Sequence, residues 1–281
     1  LTNAGWSFSI AALREELGLA RLLVLNDFAA LAWSLPFLEA DELRRIGRAG
    51  VRGDGDPGPA GDPATRGAAV PGAGPAPDAT LAVLGPGTGI GMSGLVRTPA
   101  GSWAAISGEG GHASLAPADE REGDILDWVR RHHPHVSIER LVSGSGLPLL
   151  HAAVGVVDGY TVDNGGDPGD EDDSALAAAN IADRARAGEA HAHATLSTFC
   201  AMLGGAAGNL ALTLGARGGV YIGGGIAPRI EAFLGASDFR ARFEDKGRFS
   251  AYLGGIPTWL IDARAPALRG AAHALARSEA G

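Results

Sequence analysis

Apolar residues follow two rhythms along this chain: short unbroken runs, and longer stretches spaced by three and four, in alternation. Ser9 precedes Ala11, Ala12, Leu13 and Leu17, which predicts a helix over 9–18 with Ser9 as N-cap. The run Leu22-Leu23-Val24-Leu25 is short and wholly apolar, the pattern of a buried central strand. It ends at Asn26-Asp27, and a helix is predicted from Phe28 to about Leu35, closed near Pro36. Strand character returns at 81–84, 91–96 and 103–106, followed by helical stretches at 119–132, 146–155 and 175–187. Phe199, Met202, Leu203, Leu210 and Leu214 recur at helical spacing within 193–214. Residues 219–222 form a buried strand, 228–234 a helix, 258–261 a last strand and 265–278 an amphipathic helix. Strands and helices in alternation predict an α/β architecture.

Two segments break the rhythm. Residues 47–78 hold nine glycines and six prolines with almost no large apolar side chain. Such a stretch buries too little surface to offset the entropy of ordering, so it reads as a disordered insertion. Its glycines keep no strict period of three, which removes a collagen-like reading. The acidic, glycine-rich piece 158–173 reads as a solvated surface loop.

Composition narrows the function classes. At 281 residues, 46% of them hydrophobic, the chain fits one large domain or two modest ones. Its formal charge of -9, with Lys246 the single lysine, gives no basic track for nucleic acid. Cys200 is the only cysteine, so no internal disulfide forms, in keeping with a reducing cytoplasm. The reading expects no membrane span, no secretory leader and no membrane partner. Patterned sequence begins within ten residues of Leu1, which raises the expectation of a truncated chain.

Three groups of side chains have the makings of chemistry. Asn26-Asp27 closes a predicted strand, where open α/β sheets place their ligands, and Asp27 suits the role of a positioned proton acceptor. The alternative is a simple helix cap. In Ser107-Gly108-Glu109-Gly110-Gly111-His112, glycines admit close backbone approach while Glu109 and His112 offer a carboxylate and an imidazole to vicinal hydroxyls. The same residues also describe a flexible turn carrying a surface histidine. Glu139, within Val136-Ser137-Ile138-Glu139-Arg140-Leu141-Val142-Ser143-Gly144, is either a third acceptor or a helix-face charge.

Two glycine loops complete the set. Gly85-Pro86-Gly87-Thr88-Gly89-Ile90-Gly91 lies between two strands, and its amides and the Thr88 hydroxyl suit phosphate oxygens. It lacks the lysine of a Walker A loop and opens no helix, so it is not a dinucleotide fingerprint either. Gly223-Gly224-Gly225-Ile226-Ala227-Pro228 leads from a strand into a helix, a setting for a nucleotide.

Taken in order, these segments resemble the bacterial glucokinase family of the actin-like sugar kinase superfamily. The likeness runs through Leu25-Asn26-Asp27-Phe28-Ala29-Ala30, Gly85 to Gly91, Gly108 to His112, Glu139 to Gly144, Gly208-Asn209-Leu210-Ala211-Leu212, Gly219 to Pro228, and Phe243-Glu244-Asp245-Lys246-Gly247-Arg248-Phe249. The resemblance implies an actin-like (ribonuclease H-like) two-domain α/β fold whose small domain is incomplete here. Residues 1–36 and the helix over 263–281 would belong to that small domain, and 79–262 would form the large one. It further implies ATP and Mg²⁺ as cofactors and glucose as substrate. Asp27 would be the catalytic base, and Asn26, Glu109, His112 and Glu139 would hold glucose. Gly87, Thr88 and Gly89 would contact phosphate, and Gly223, Gly224 and Gly225 would lie by the adenosine.

One departure stands out. The family's opening Asp-x-Gly-Gly-Thr-Asn phosphate loop is not found in these 281 residues, so this fragment alone is expected to have little or no kinase activity. Relatives acting on other hexoses carry a Cys/His zinc cluster, which a single cysteine cannot supply, and glucose is favoured accordingly. A sugar-binding regulator is the alternative of another class, and Asp27 argues against it. A homodimer is left open.

Overall fold

The computed structural model describes residues 9–47, 79–160 and 171–277. In chain order its elements are α1 (Ile10–Glu16), α2 (Asp27–Ser34), β1 (Leu43–Arg45), β2 (Leu81–Pro86), β3 (Ile90–Arg97), β4 (Trp103–Gly108), α3 (Glu120–Arg130) and α4 (Ile138–Leu141). There follow α5 (Leu147–Val157), α6 (Glu171–Arg186), α7 (Ala190–Leu214), β5 (Val220–Ile222), α8 (Glu231–Ala236), α9 (Phe239–Glu244), α10 (Ser250–Gly254), β6 (Thr258–Ile261) and α11 (Pro266–Arg277).

The strands form one mixed sheet in the order β1-β6-β5-β2-β3-β4. β2 pairs in parallel with β5, and β5 with β6, while the β2–β3, β3–β4 and β1–β6 pairs are antiparallel. All six residues of β2 are buried, as expected of a strand covered on both faces. The period of two divides them. Ala82 and Leu84, with Val220 and Ile222, face the larger core built on Leu150, Phe199 and Leu203 from α5 and α7. Leu81 and Val83, with Tyr221 and Ile261, face a smaller core that includes Leu31, Ala32 and Leu35.

α2 and α11 lie together and join the strands of 79–262 through this smaller core. The two helices meet backbone to backbone at Gly270, where a Cβ would overlap the carbonyl oxygen of Ala30 and stand 2.8 Å from the Ser34 nitrogen. Arg269 fastens the pair through Glu42 and the Phe37 carbonyl, and the rings of Phe37 and His273 stack at 3.6 Å.

Several expectations need correction. Residues 22–25 form no strand, and Leu23 and Val24 are 40% and 50% exposed. An extended run becomes a strand only when a neighbour completes its hydrogen-bond ladder, and no described strand lies beside this one. α7 is long and apolar enough to cross a membrane by length and composition, with a mean hydropathy of 1.3, contrary to the reading that nothing approached a span. Its apolar window is 72% buried inside the fold, which explains the hydropathy as that of a central core helix. β1, α9 and α10 were not anticipated. The insertion over 48–78 and most of the acidic loop (161–170) lie outside the described residues.

Two polar clusters hold the helical layer. Arg240 on α9 is nearly buried and donates to the carbonyls of Leu253, Gly254 and Ile256, to Thr258 Oγ1 and to Glu244 at 2.6 Å. Burial pulls this guanidinium below the usual arginine value, opposed by Glu244. On α5 and α7, His151 and His191 stack at 3.6 Å, with Tyr160 against His191 at 4.8 Å. His151 Nδ1 lies 2.7 Å from Thr195 Oγ1. Burial, reinforced by His191 and Arg184, pushes His151 down to about 4.

Candidate functional site

β2, β4, β5 and β6 run in the same direction, so their carboxyl ends share one edge of the sheet, where α/β folds hold ligands. Three of the segments singled out above sit there. Residues 87–89 close the β2–β3 hairpin, 109–112 follow β4, and 223–225 follow β5. The β2 and β5 loops touch through glycine: a Cβ on Gly85 would stand 2.9 Å from the Gly224 nitrogen. Gly224 has φ +82° and lies over Pro86, a conformation and a proximity that together require glycine. The positions of Gly87 and Gly225 face open space instead.

Glu139 enters in the first turn of α4, whose N-cap Ser137 accepts from the Arg140 amide at 3.1 Å. Its Oε2 accepts from the Ile90 amide at 2.9 Å, and its Oε1 lies 3.8 Å from His112 Nδ1. His112 ends a short 3-10 turn, Gly110–His112, with Glu109 exposed at its head. A miniature ladder joins this turn to α4: the Leu115 amide donates to Val136 at 2.9 Å, and Ile138 to Ala113 at 2.9 Å. Ser114 Oγ and His135 Nε2 add a contact of 3.2 Å. Glu139 and His112, distant in sequence, are thus held side by side.

Asp27 heads α2. Its neighbour Phe28 packs its ring over Gly91, where any Cβ would overlap the ring, so the helix start lies against the residue next to Ile90. Asp27 itself is exposed, with Oδ1 2.8 Å from the Phe28 amide. Asn26 is the N-cap: its Oδ1 accepts from Phe28 and Ala29 at 2.9 and 3.2 Å. The plainer sequence alternative is therefore realised for this side-chain oxygen, and only the Asn26 amide nitrogen is left to a ligand. The Gly87 amide is likewise committed, donating to the Gly89 carbonyl at 2.8 Å. Among the described residues no three His, Cys, Asp or Glu side chains gather as a metal cage.

Sequence reasoning gave no role to the turn at 143–146, although Ser143 and Gly144 close the motif around Glu139. The Gly144 amide donates to the Gly87 carbonyl at 2.8 Å, and the Ser145 amide and hydroxyl both donate to the Thr88 carbonyl, at 3.2 and 2.9 Å. Ser143, fully buried, donates to the Glu139 carbonyl at 2.7 Å. Its place in that motif, four residues after Glu139, was the signal that could have marked it.

Comparison with known proteins adds a family to this geometry. The family profile described as Glucokinase matches residues 1–278. A glucokinase of Chromobacterium violaceum is 50% identical over 98% of this chain and 69% of its own length. One of Aromatoleum aromaticum is 48% identical over 100% of this chain and 74% of its own. A crystal structure of a glucokinase from an Antarctic psychrotroph superposes with a TM-score of 0.78 at 38% identity, covering 98% of this chain and 75% of that one. The fold is accordingly that of the actin-like sugar kinases, and the chain belongs to the glucokinase family.

Proposed function

We propose that this chain belongs to an ATP-dependent glucokinase, which converts glucose to glucose 6-phosphate in the cytoplasm. The observation that carries the reading is the pairing of Glu139 with His112 at the strand edge where both glycine loops and the head of α2 also meet. Relatives 48–50% identical bear the name glucokinase.

In this reading Glu109, His112 and Glu139 take vicinal hydroxyls of the sugar, with the Asn26 amide nitrogen beside them. Attack of the 6-hydroxyl on the terminal phosphorus displaces ADP while its proton passes to Asp27. The amides of Thr88 and Gly89 and the Thr88 hydroxyl face the phosphates, Gly87 shapes the hairpin around them, and Gly223, Gly224 and Gly225 lie by the adenosine. The open space at Gly87 and Gly225 fits close approach of such a group. Mg²⁺ would ride with the nucleotide, since this cation keeps water and phosphate oxygens as most of its ligands. Cys200, buried and pushed up to about 12 by burial, stays a thiol and takes no part.

The test is glucose 6-phosphate formation, coupled to reduction of NADP⁺, by enzyme expressed from its complete reading frame. Asp27→Asn should lower kcat by about 10²–10⁴ while leaving glucose affinity in place. An Asp27→Asn enzyme as fast as the parent would remove the base assignment. Absence of glucose binding in the parent would remove the reading as a whole.

A further inference from the structure

We infer that Ser145 is a positioning residue for phosphate: its hydroxyl fixes the direction in which the tip of the 87–89 hairpin presents its amides. This inference rests on the nucleotide reading above and deepens it. A trans peptide unit is planar, with its C=O and N–H pointing opposite ways. The Gly87 carbonyl is held by the Gly144 amide, which turns the Thr88 N–H away from the 143–146 turn. The Thr88 carbonyl is held by the Ser145 amide and hydroxyl, which turns the Gly89 N–H away as well. The two amides assigned to phosphate are therefore aimed by hydrogen bonds to the carbonyls of the same two peptide units.

The hydroxyl is the adjustable part of this arrangement. At 2.9 Å it is the closer of the two donors to the Thr88 carbonyl, the Ser145 amide lying at 3.2 Å. Ser143 gives its own proton to the Glu139 carbonyl and accepts from the Gly146 amide at 2.9 Å, which leaves its oxygen 3.2 Å from Ser145 Oγ. The Ser145 proton accordingly rests on Thr88, and Ser143 buttresses it from behind. Thr88 is exposed at the hairpin tip and Gly87 faces open space, so with the hydroxyl lost the Thr88 carbonyl would be held only by the longer bond from the Ser145 amide. None of the hydrogen bonds of Ser145 reaches the Glu139 carboxylate or His112, so the sugar side should not feel the change.

The experiment is calorimetry on the full chain with a non-hydrolysable ATP analogue and, separately, with glucose, for the parent, Ser145→Ala and Ser145→Thr. Loss of one neutral hydrogen bond predicts analogue affinity weakened about five- to tenfold in Ser145→Ala, restored in Ser145→Thr, with glucose affinity unchanged in both. Equal losses for analogue and glucose would mean a structural role and overturn the inference. So would unchanged analogue affinity in Ser145→Ala. Glucose phosphorylation by the parent, followed alongside, reports on the glucokinase reading alone, so the two failures are told apart.

Discussion

Replacing Gly89 with alanine isolates Glu139 from the fold around it. A Cβ at position 89 would overlap Glu139 Oε2 and stand 3.0 Å from its Cδ, closer than such atoms tolerate. The hairpin is tied to 144–145 by three hydrogen bonds, so the flexible carboxylate yields and the backbone stays. Once displaced, Oε2 leaves the Ile90 amide, and Ile90 is only 5% exposed. An amide left unpaired there costs about 1–3 kcal/mol, which lowers the melting temperature by roughly 2–4 °C per kcal/mol at this chain length. The displaced carboxylate also quits its place beside His112, and losing a charged acceptor for a sugar hydroxyl weakens glucose binding about 10- to 100-fold. Gly87→Ala is the internal control, since its Cβ meets nothing within 4 Å; it should leave glucose affinity and melting temperature nearly unchanged. Calorimetric titration with glucose and thermal unfolding measure both quantities. Should the two alanine variants bind glucose alike, Glu139 would have no part in the sugar site.

Further outcomes are expected. Arg240→Met removes the donor to three carbonyls and leaves Glu244 without its cation, which should cost about 3–5 kcal/mol in urea unfolding; a loss below about 1 kcal/mol would refute that account. Because the folded chain holds His151 near 4 while the unfolded chain protonates it near 6.5, the unfolded state binds more protons between those values. Stability is therefore complete above about pH 6.5 and declines as pH falls toward 4, and His151→Gln should flatten the decline of melting temperature over that window. An unchanged slope in the variant would shift the acid sensitivity to other groups.

Much of the fold was legible because its elements obey their periods. The unbroken apolar run Leu81-Ala82-Val83-Leu84 marked β2, and Leu203, Leu210 and Leu214 marked α7. The failures share a physical cause, namely that a neighbour decides the outcome. Leu22 to Leu25 have the composition of a strand but no described strand beside them, whereas Leu43-Arg44-Arg45 looks polar yet pairs with β6 at the sheet edge. In the site, glycines and carboxylates announced themselves by type. Ser145 did not, because its role lies in a contact with a carbonyl 57 residues away. Asn26 showed the reverse: its type suggested a ligand, and its oxygen serves the helix.

The meeting of α11 with α2 at Gly270 has a consequence for synthesis. The helix headed by Asp27 is made well before the surface that covers it, which comes from residues 266–277. Until then Ala30 and Ser34 have no lid, and the nascent polypeptide holds Asp27 on an unfinished support. Competence to turn over substrate would thus arrive only once α11 has been made, and nonsense mutations ahead of residue 266 should leave enzyme that is synthesised but idle.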